Sequence, residues 1–159
     1  MTSSTVYTLG GEAAKATLPK FSSQIIVNAK REHVFEIFSN YENYQRLVPQ
    51  HFPSVRIRSV RGDLAVVEEH FNLGSIEMLI MARHISKKPI LHEVFVIGGD
   101  AKGSHIKQEF IELEESTKVL IDVDFKFKGK MKISHMFGKN PVAQDYEVIL
   151  NDFAKIAEN

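Results

Sequence analysis

The chain has 159 residues, with 20 Lys and Arg against 20 Asp and Glu, 43% hydrophobic residues, and neither cysteine nor tryptophan. A domain holds about 100–200 residues, so this length predicts one domain with a sizeable core, and ordinary apolar and charged fractions exclude disorder. Zero net charge removes the excess of Lys and Arg that phosphate binding uses, so no nucleic-acid partner is expected. Without cysteine there is no disulfide framework, thiol nucleophile or zinc–thiolate site. No apolar run reaches the roughly 18 residues that span a bilayer, and residues 1–20 lack the pattern of a secretory signal. A cytoplasmic location without a transmembrane segment is expected.

Residues 1–20 are small and polar, with Gly10-Gly11 and Pro19, and read as a flexible N-terminal arm preceding one domain at 21–159. The alternation Thr5, Val6, Tyr7, Thr8, Leu9 offers an edge strand as the alternative. Residues 21–29 (FSSQIIVNA) are rich in β-branched side chains and predict a first strand. A helix follows from Lys30, with Val34, Ile37, Phe38 and Tyr41 at helical spacing. A second short helix, capped by Ser39 or Asn40, carries Tyr44, Leu47 and Val48 before Pro49 and Pro53 stop it.

Six strand-like runs come next, at 54–60, 64–73, 75–85, 90–97, 105–113 and 118–131, separated by short polar turns; they predict an antiparallel meander. In the last run Val119, Ile121, Val123, Phe125 and Phe127 share one face, and Asp122, Asp124, Lys126 and Lys128 share the other. Asn140 suits a helix N-cap and Pro141 the first helical position. Val142, Tyr146, Ile149, Leu150, Phe153 and Ala157 then form a single apolar stripe, so this helix covers the apolar face of the sheet. Between strand and helix, Ile133, Met136 and Phe137 are too apolar for a free loop.

This succession resembles the START and birch-pollen-allergen superfamily (SRPBCC), and within it the polyketide cyclase/dehydrase and coenzyme Q-binding branch. The likeness is carried by IIVNAKREHVFEIFSNYENYQRLVP at 25–49 and ARHISKKPILHEVFVIGG at 82–99. The resemblance implies an α+β helix-grip fold: a curved seven-stranded antiparallel sheet around a long C-terminal helix, with two short helices between strands 1 and 2. It also implies an apolar cavity between sheet and helix, of the kind that holds lipids, sterols, quinones or polyketides. Eleven phenylalanines and five methionines suit such a lining, although a close-packed core would use the same residues.

The expected lining residues are Phe38, Tyr44, Phe71, Met78, Ile80, Phe95, Ile97, Phe110, Val123, Phe125, Phe127, Met136, Tyr146 and Leu150, with the two tyrosines as polar handles and Met136, Phe137 and Gly138 as a gate. Glu93 and Gln108 are placed on the concave face with Phe95 and Phe110; a register slip of one residue would turn both outward and bring in Val94, Val96 and Ile111. A carboxylate among phenylalanines is desolvated and suits acid chemistry, so Glu93 is a candidate catalytic residue, and His84 is the other. Alternation sends Glu69 to one face of its strand and Glu68 and His70 to the other, with His84 on the next strand, and a solvated strand face is the expectation for this group. No metal-ligand spacing, phosphate loop or serine elbow is present, so no metal or cofactor is expected. The Arg56, Arg58, Arg61 and Lys126, Lys128, Lys130, Lys132 rows read as solvated strand faces. Three functions remain open: carriage of a hydrophobic small molecule by a monomer or weak homodimer, a cyclase or dehydratase using the same cavity, and a ligand-free interaction module.

Overall fold

The structure, a computed structural model, describes residues 3–8, 20–127 and 141–159. The elements run β1 (Ser3–Thr8), β2 (Lys20–Val27), α1 (Arg31–Ser39), a 3-10 turn (Tyr41–Asn43), α2 (Tyr44–Leu47), β3 (Ser54–Arg61), β4 (Leu64–Leu73), β5 (Ile76–Lys87), β6 (Leu91–Gly99), β7 (His105–Glu112), β8 (Thr117–Asp124) and α3 (Pro141–Glu158). The strands form one antiparallel sheet in the order β1-β2-β8-β7-β6-β5-β4-β3. The expected seven strands are β2–β8. The eighth, β1, lies in the segment read as a flexible arm: its ladder from Ser3↔Ile26 to Thr8↔Phe21 covers the edge of β2, and pairing of backbone groups fixes it where side-chain pattern alone is weak.

The helical connection is tighter than the sequence predicts. Asn40, not Ser39, caps the segment after α1: its side chain accepts from the Glu42 N–H at 3.1 Å. The Ser39 hydroxyl instead donates back to the Phe35 carbonyl at 2.6 Å. The second helix shrinks to a 3-10 turn and the single α-turn of α2, held by the Tyr44 hydroxyl donating to the Phe38 carbonyl at 2.7 Å.

The concave face of the sheet carries Phe21, Ile25 and Val27 from β2, Phe71 and Leu73 from β4, Met78 and Ile80 from β5, and Val119, Ile121 and Val123 from β8, all buried. The predicted stripe on α3, Val142, Tyr146, Ile149, Leu150, Phe153 and Ala157, is buried throughout and lies against it. An 18-residue helix with apolar groups on one side only finds its lowest free energy by turning that side to the sheet. Phe153 joins the layers, with its ring centroid 5.4 Å from that of Phe38 and 5.3 Å from that of Tyr44. The β8 strand ends at Asp124, earlier than expected, while Phe125 and Phe127 beyond it remain buried. The expectations for residues 128–140, including the Met136 gate, fall outside the described residues.

Two irregularities set which side chains reach the concave face. Arg58 is an extra residue between the pairs Ile57↔Val67 and Ser59↔Val66, and Ile97 is extra between Met81↔Gly98 and Ala82↔Val96. Just after the second bulge, Gly99 has φ +78°, and the Asp100 N–H donates to the Leu79 carbonyl at 2.8 Å. A Cβ on Gly99 would run into the backbone of Leu79 and Ile80. Gly99→Ala is therefore expected to cost more in a urea titration than Gly62→Ala, which bears only the left-handed strain of its φ of +58°, about 1–2 kcal/mol, because its Cβ meets nothing.

Candidate functional site

Between the concave sheet face and α3 lies a cavity of about 40 Å³. Its apolar wall includes Phe38, Phe52, Phe71, Met78, Ile80, Val94, Val96, Ala101, Ile106, Phe125, Ile149 and Phe153. Phe52 reaches it from the segment after α2 and stacks on Phe71, with centroids 5.0 Å apart and planes 17° apart. Sequence reasoning missed Phe52 because no periodic element contains it, whereas Ile149 and Phe153 were already visible in the helix stripe.

A polar row crosses this wall over four adjacent strands. The Oε2 of Glu69 on β4 lies 2.7 Å from Nε2 of His84 on β5. Nδ1 of His84 lies 2.9 Å from Nε2 of His92 on β6, and Nδ1 of His92 lies 2.8 Å from Oε1 of Gln108 on β7. Gln108 also hydrogen-bonds Tyr146 on the opposing helix. All five residues are buried. Backbone register brings them together: His92 stands directly opposite Gln108, and the small residues Ala65 and Ala82 on neighbouring positions leave room for the imidazole of His84. Buried polar groups must find partners, and here each imidazole uses both ring nitrogens.

Burial is the main influence on ionisation. It holds His92 down to about 3, helped by repulsion from His84, while the bond to Gln108 opposes the shift. It also pushes the phenols of Tyr146 and Tyr44 well above their usual range, with the nearby Glu69 adding to both. The Tyr41 and Tyr44 rings pack against His84 at centroid distances of 4.8 and 6.3 Å.

The placement of candidates differs from expectation in an ordered way. Phe38, Tyr44, Phe71, Met78, Ile80, Phe125 and Tyr146 face the cavity. Phe110, Val123, Phe127 and Leu150 are buried in the surrounding core. Phe95 and Ile97 point to the convex face, where Phe95 stacks on His105 at 4.4 Å and the Arg83 guanidinium sits 5.2 Å from its ring. Glu93 goes with them, its carboxylate 2.8 Å from Nε2 of His105 outside the sheet. In β6 both alternating sets are apolar, so pattern alone does not choose; the structure turns His92, Val94 and Val96 inward. Gln108 and Phe110 face inward as expected, because β7 keeps its own register, and Ile111 is exposed. Glu69 and His84, expected on a solvated face, are instead inside the cavity, sharing alternation with Phe71 and Ile80. Among the described residues no cluster of His, Asp and Glu is arranged to hold a metal.

A family model described as polyketide cyclase / dehydrase and lipid transport matches residues 27–154. The chain belongs to this family. Its match spans β2 to α3, which includes every residue of the polar row. Among solved structures of the same fold, the protein TTHA0849 from Thermus thermophilus superposes with a TM-score of 0.73 at 12% identity, covering 87% of this chain and 97% of that one. A START superfamily protein from Mycobacterium smegmatis gives 0.69 at 17% identity, covering 87% and 94%. The ZhuI aromatase/cyclase from Streptomyces sp. R1128 gives 0.65 at 15% identity, covering 87% and 93%. Among curated proteins none matches the sequence. The helix-grip fold is thus shared with START-type proteins and an aromatase/cyclase.

His92 yields a pH prediction. Its folded value of about 3 lies below the ordinary 6.5, so between these values the unfolded chain binds the extra proton. The stability it contributes is complete above pH 6.5 and is lost as pH falls toward 3, at about 1.4 kcal/mol per pH unit. Urea titrations at pH 7, 6, 5 and 4 should show a slope of stability against pH that is shallower in His92→Gln by about one proton.

Proposed function

We propose that this family member binds a hydrophobic small molecule, such as a lipid, a quinone or a polyketide-like chain, in the cavity between sheet and α3. The observation that carries the reading is the cavity wall itself: aromatic and aliphatic side chains over most of its area and one row of hydrogen-bonding groups at one side. Apolar surface buried on binding supplies affinity at about 25 cal/mol per Å², and the polar row supplies orientation. A cavity of about 40 Å³ has room for only a few water molecules. Ligand pockets run to about 300–1,000 Å³, so an occupant of that size enters by displacing side chains, with the unbranched Met78 the most adaptable.

The reading extends to a cytoplasmic carrier acting as a monomer or weak homodimer; no described helix is long and apolar enough to cross a membrane. A second reading, a cyclase or dehydratase, is favoured by one observation: a carboxylate and an imidazole in contact inside an apolar cavity.

Titration with the neutral fluorophore N-phenyl-1-naphthylamine tests the binding reading. One saturable site per chain in the micromolar range is expected, weakened at least about tenfold in Val96→Trp, which fills the cavity. Absence of saturable binding, or equal affinity in Val96→Trp, removes the cavity as the site.

A further inference from the structure

We propose that Glu69 and His84 are a general acid–base pair that moves a proton on and off the α-carbon of an uncharged, apolar ketone, with His92 and Gln108 as positioning residues. The proposal rests on the reading of the cavity as a ligand site.

The protons of the row can be counted from its geometry. The Oε1 of Gln108 carries none, so His92 Nδ1 donates to it. His92 is neutral, so its Nε2 is bare and accepts from Nδ1 of His84. What remains is a single proton between Nε2 of His84 and Oε2 of Glu69, 2.7 Å apart. Whether that proton sits on nitrogen or oxygen, the row is neutral overall. Reversing the Gln108 amide would reverse every bond and leave a carboxylate charge unbalanced in an apolar cavity, which is the costlier arrangement. Gln108 thus fixes the tautomer of His92, and His92 holds a proton on Nδ1 of His84, in the way a third group orients the base of a catalytic triad.

In the ion-pair form the Glu69 carboxylate takes the α-proton. The C–H electron pair becomes the carbon–carbon π bond, and the carbonyl π pair moves onto oxygen. The enolate charge that appears is balanced by the His84 imidazolium, so the cavity is neutral before and after the step. Return of the proton to the same carbon gives exchange, and return to a conjugated carbon shifts a double bond; neither needs an oxidant, a reductant or a second substrate. Tyr146 accepts from the Gln108 amide, so its own O–H, kept protonated by its raised pKa, is free to donate to the ketone oxygen. Tyr44 is not, because its hydroxyl is bonded to the Phe38 carbonyl. The substrate is uncharged because no lysine or arginine lines the cavity among the described residues, so a ligand carboxylate would face Glu69 without a counter-ion. A row serving stability alone would be replaced by apolar side chains with little loss, whereas this one lies along the wall of a cavity.

Cyclohexanone in D₂O is the probe, with loss of its α-CH₂ proton signal followed by NMR and binding followed by shifts of the Met78 methyl. Wild-type protein should bind it and speed exchange well above the buffer rate. Glu69→Gln should still bind and lose about a hundredfold of that acceleration. Gln108→Leu should still bind while losing the ¹⁵N signature of a single His92 tautomer and shifting the pH profile of exchange. Binding with exchange at the buffer rate, or undiminished exchange in Glu69→Gln, overturns the acid–base pair and leaves the ligand reading standing; absence of binding overturns both. The wild-type measurement decides by itself if a variant does not fold.

Discussion

The apolar stripe of α3 seated in the curve of the sheet is the contact on which the remaining structure depends. A sheet with one apolar face has no stable form until something covers that face, and α3 supplies a cover of matching length. Its C-terminal half is fixed by polar contacts: Asp152 lies 2.7 Å from Nε2 of His51, and the Glu158 carboxylate accepts from the Asn28 N–H at 2.8 Å. Phe38 and Tyr44 meet Phe153 on the same helix, so α1 and α2 owe their position to it as well. Helices of nine and four residues are too short to persist alone, which is why their apolar faces are drawn into this contact.

The cavity is a by-product of that geometry, and its chemistry comes from four strands that each place one polar side chain on an otherwise apolar face. Taken singly, Glu69, His84, His92 and Gln108 would each destabilise the fold by their burial. Together every imidazole nitrogen has a partner, and removing any member leaves its neighbours unpaired, at a cost of about 1–3 kcal/mol for each orphaned group. Such a row behaves as one unit. Its protons, orientation and position are coupled through the hydrogen bonds that link one strand to the next.

How far the sequence reveals this differs from element to element. The large side chains of the α3 stripe were legible, because 3.6-residue periodicity from Val142 to Ala157 admits only one buried face; the buried Ala143 and Ala154 beside it were not, since alanine marks neither face. The inward set of β8 was equally clear, since Asp and Lys alternate with Val, Ile and Phe. In β6, Val94 and Val96 compete with Phe95 and Ile97, and the larger pair loses because the sheet continues His84 across to His92 and Gln108. That pairing is long-range information, absent from any local window. Glu69 and His84 were readable in parity with Phe71 and Ile80, but a charged side chain in an inward position becomes credible only once its partner is placed. The N-terminal strand was legible only as an alternative, in the alternation from Thr5 to Leu9, because the backbone ladder to β2 holds it and ladders leave little trace in composition.

The two margins of the sheet end differently. On one side β1 lies over β2. On the other, β3 is solvent-exposed along almost its whole length, carries Arg56, Arg58 and Arg61, and is broken in register at Arg58. A second copy approaching that margin would bring its own arginines against these and would find a twisted, interrupted row of hydrogen-bond donors and acceptors to match. A chain built chiefly from strands thereby carries its own protection against stacking into fibrils, and the residues that provide it stand apart from the cavity and are free to do so.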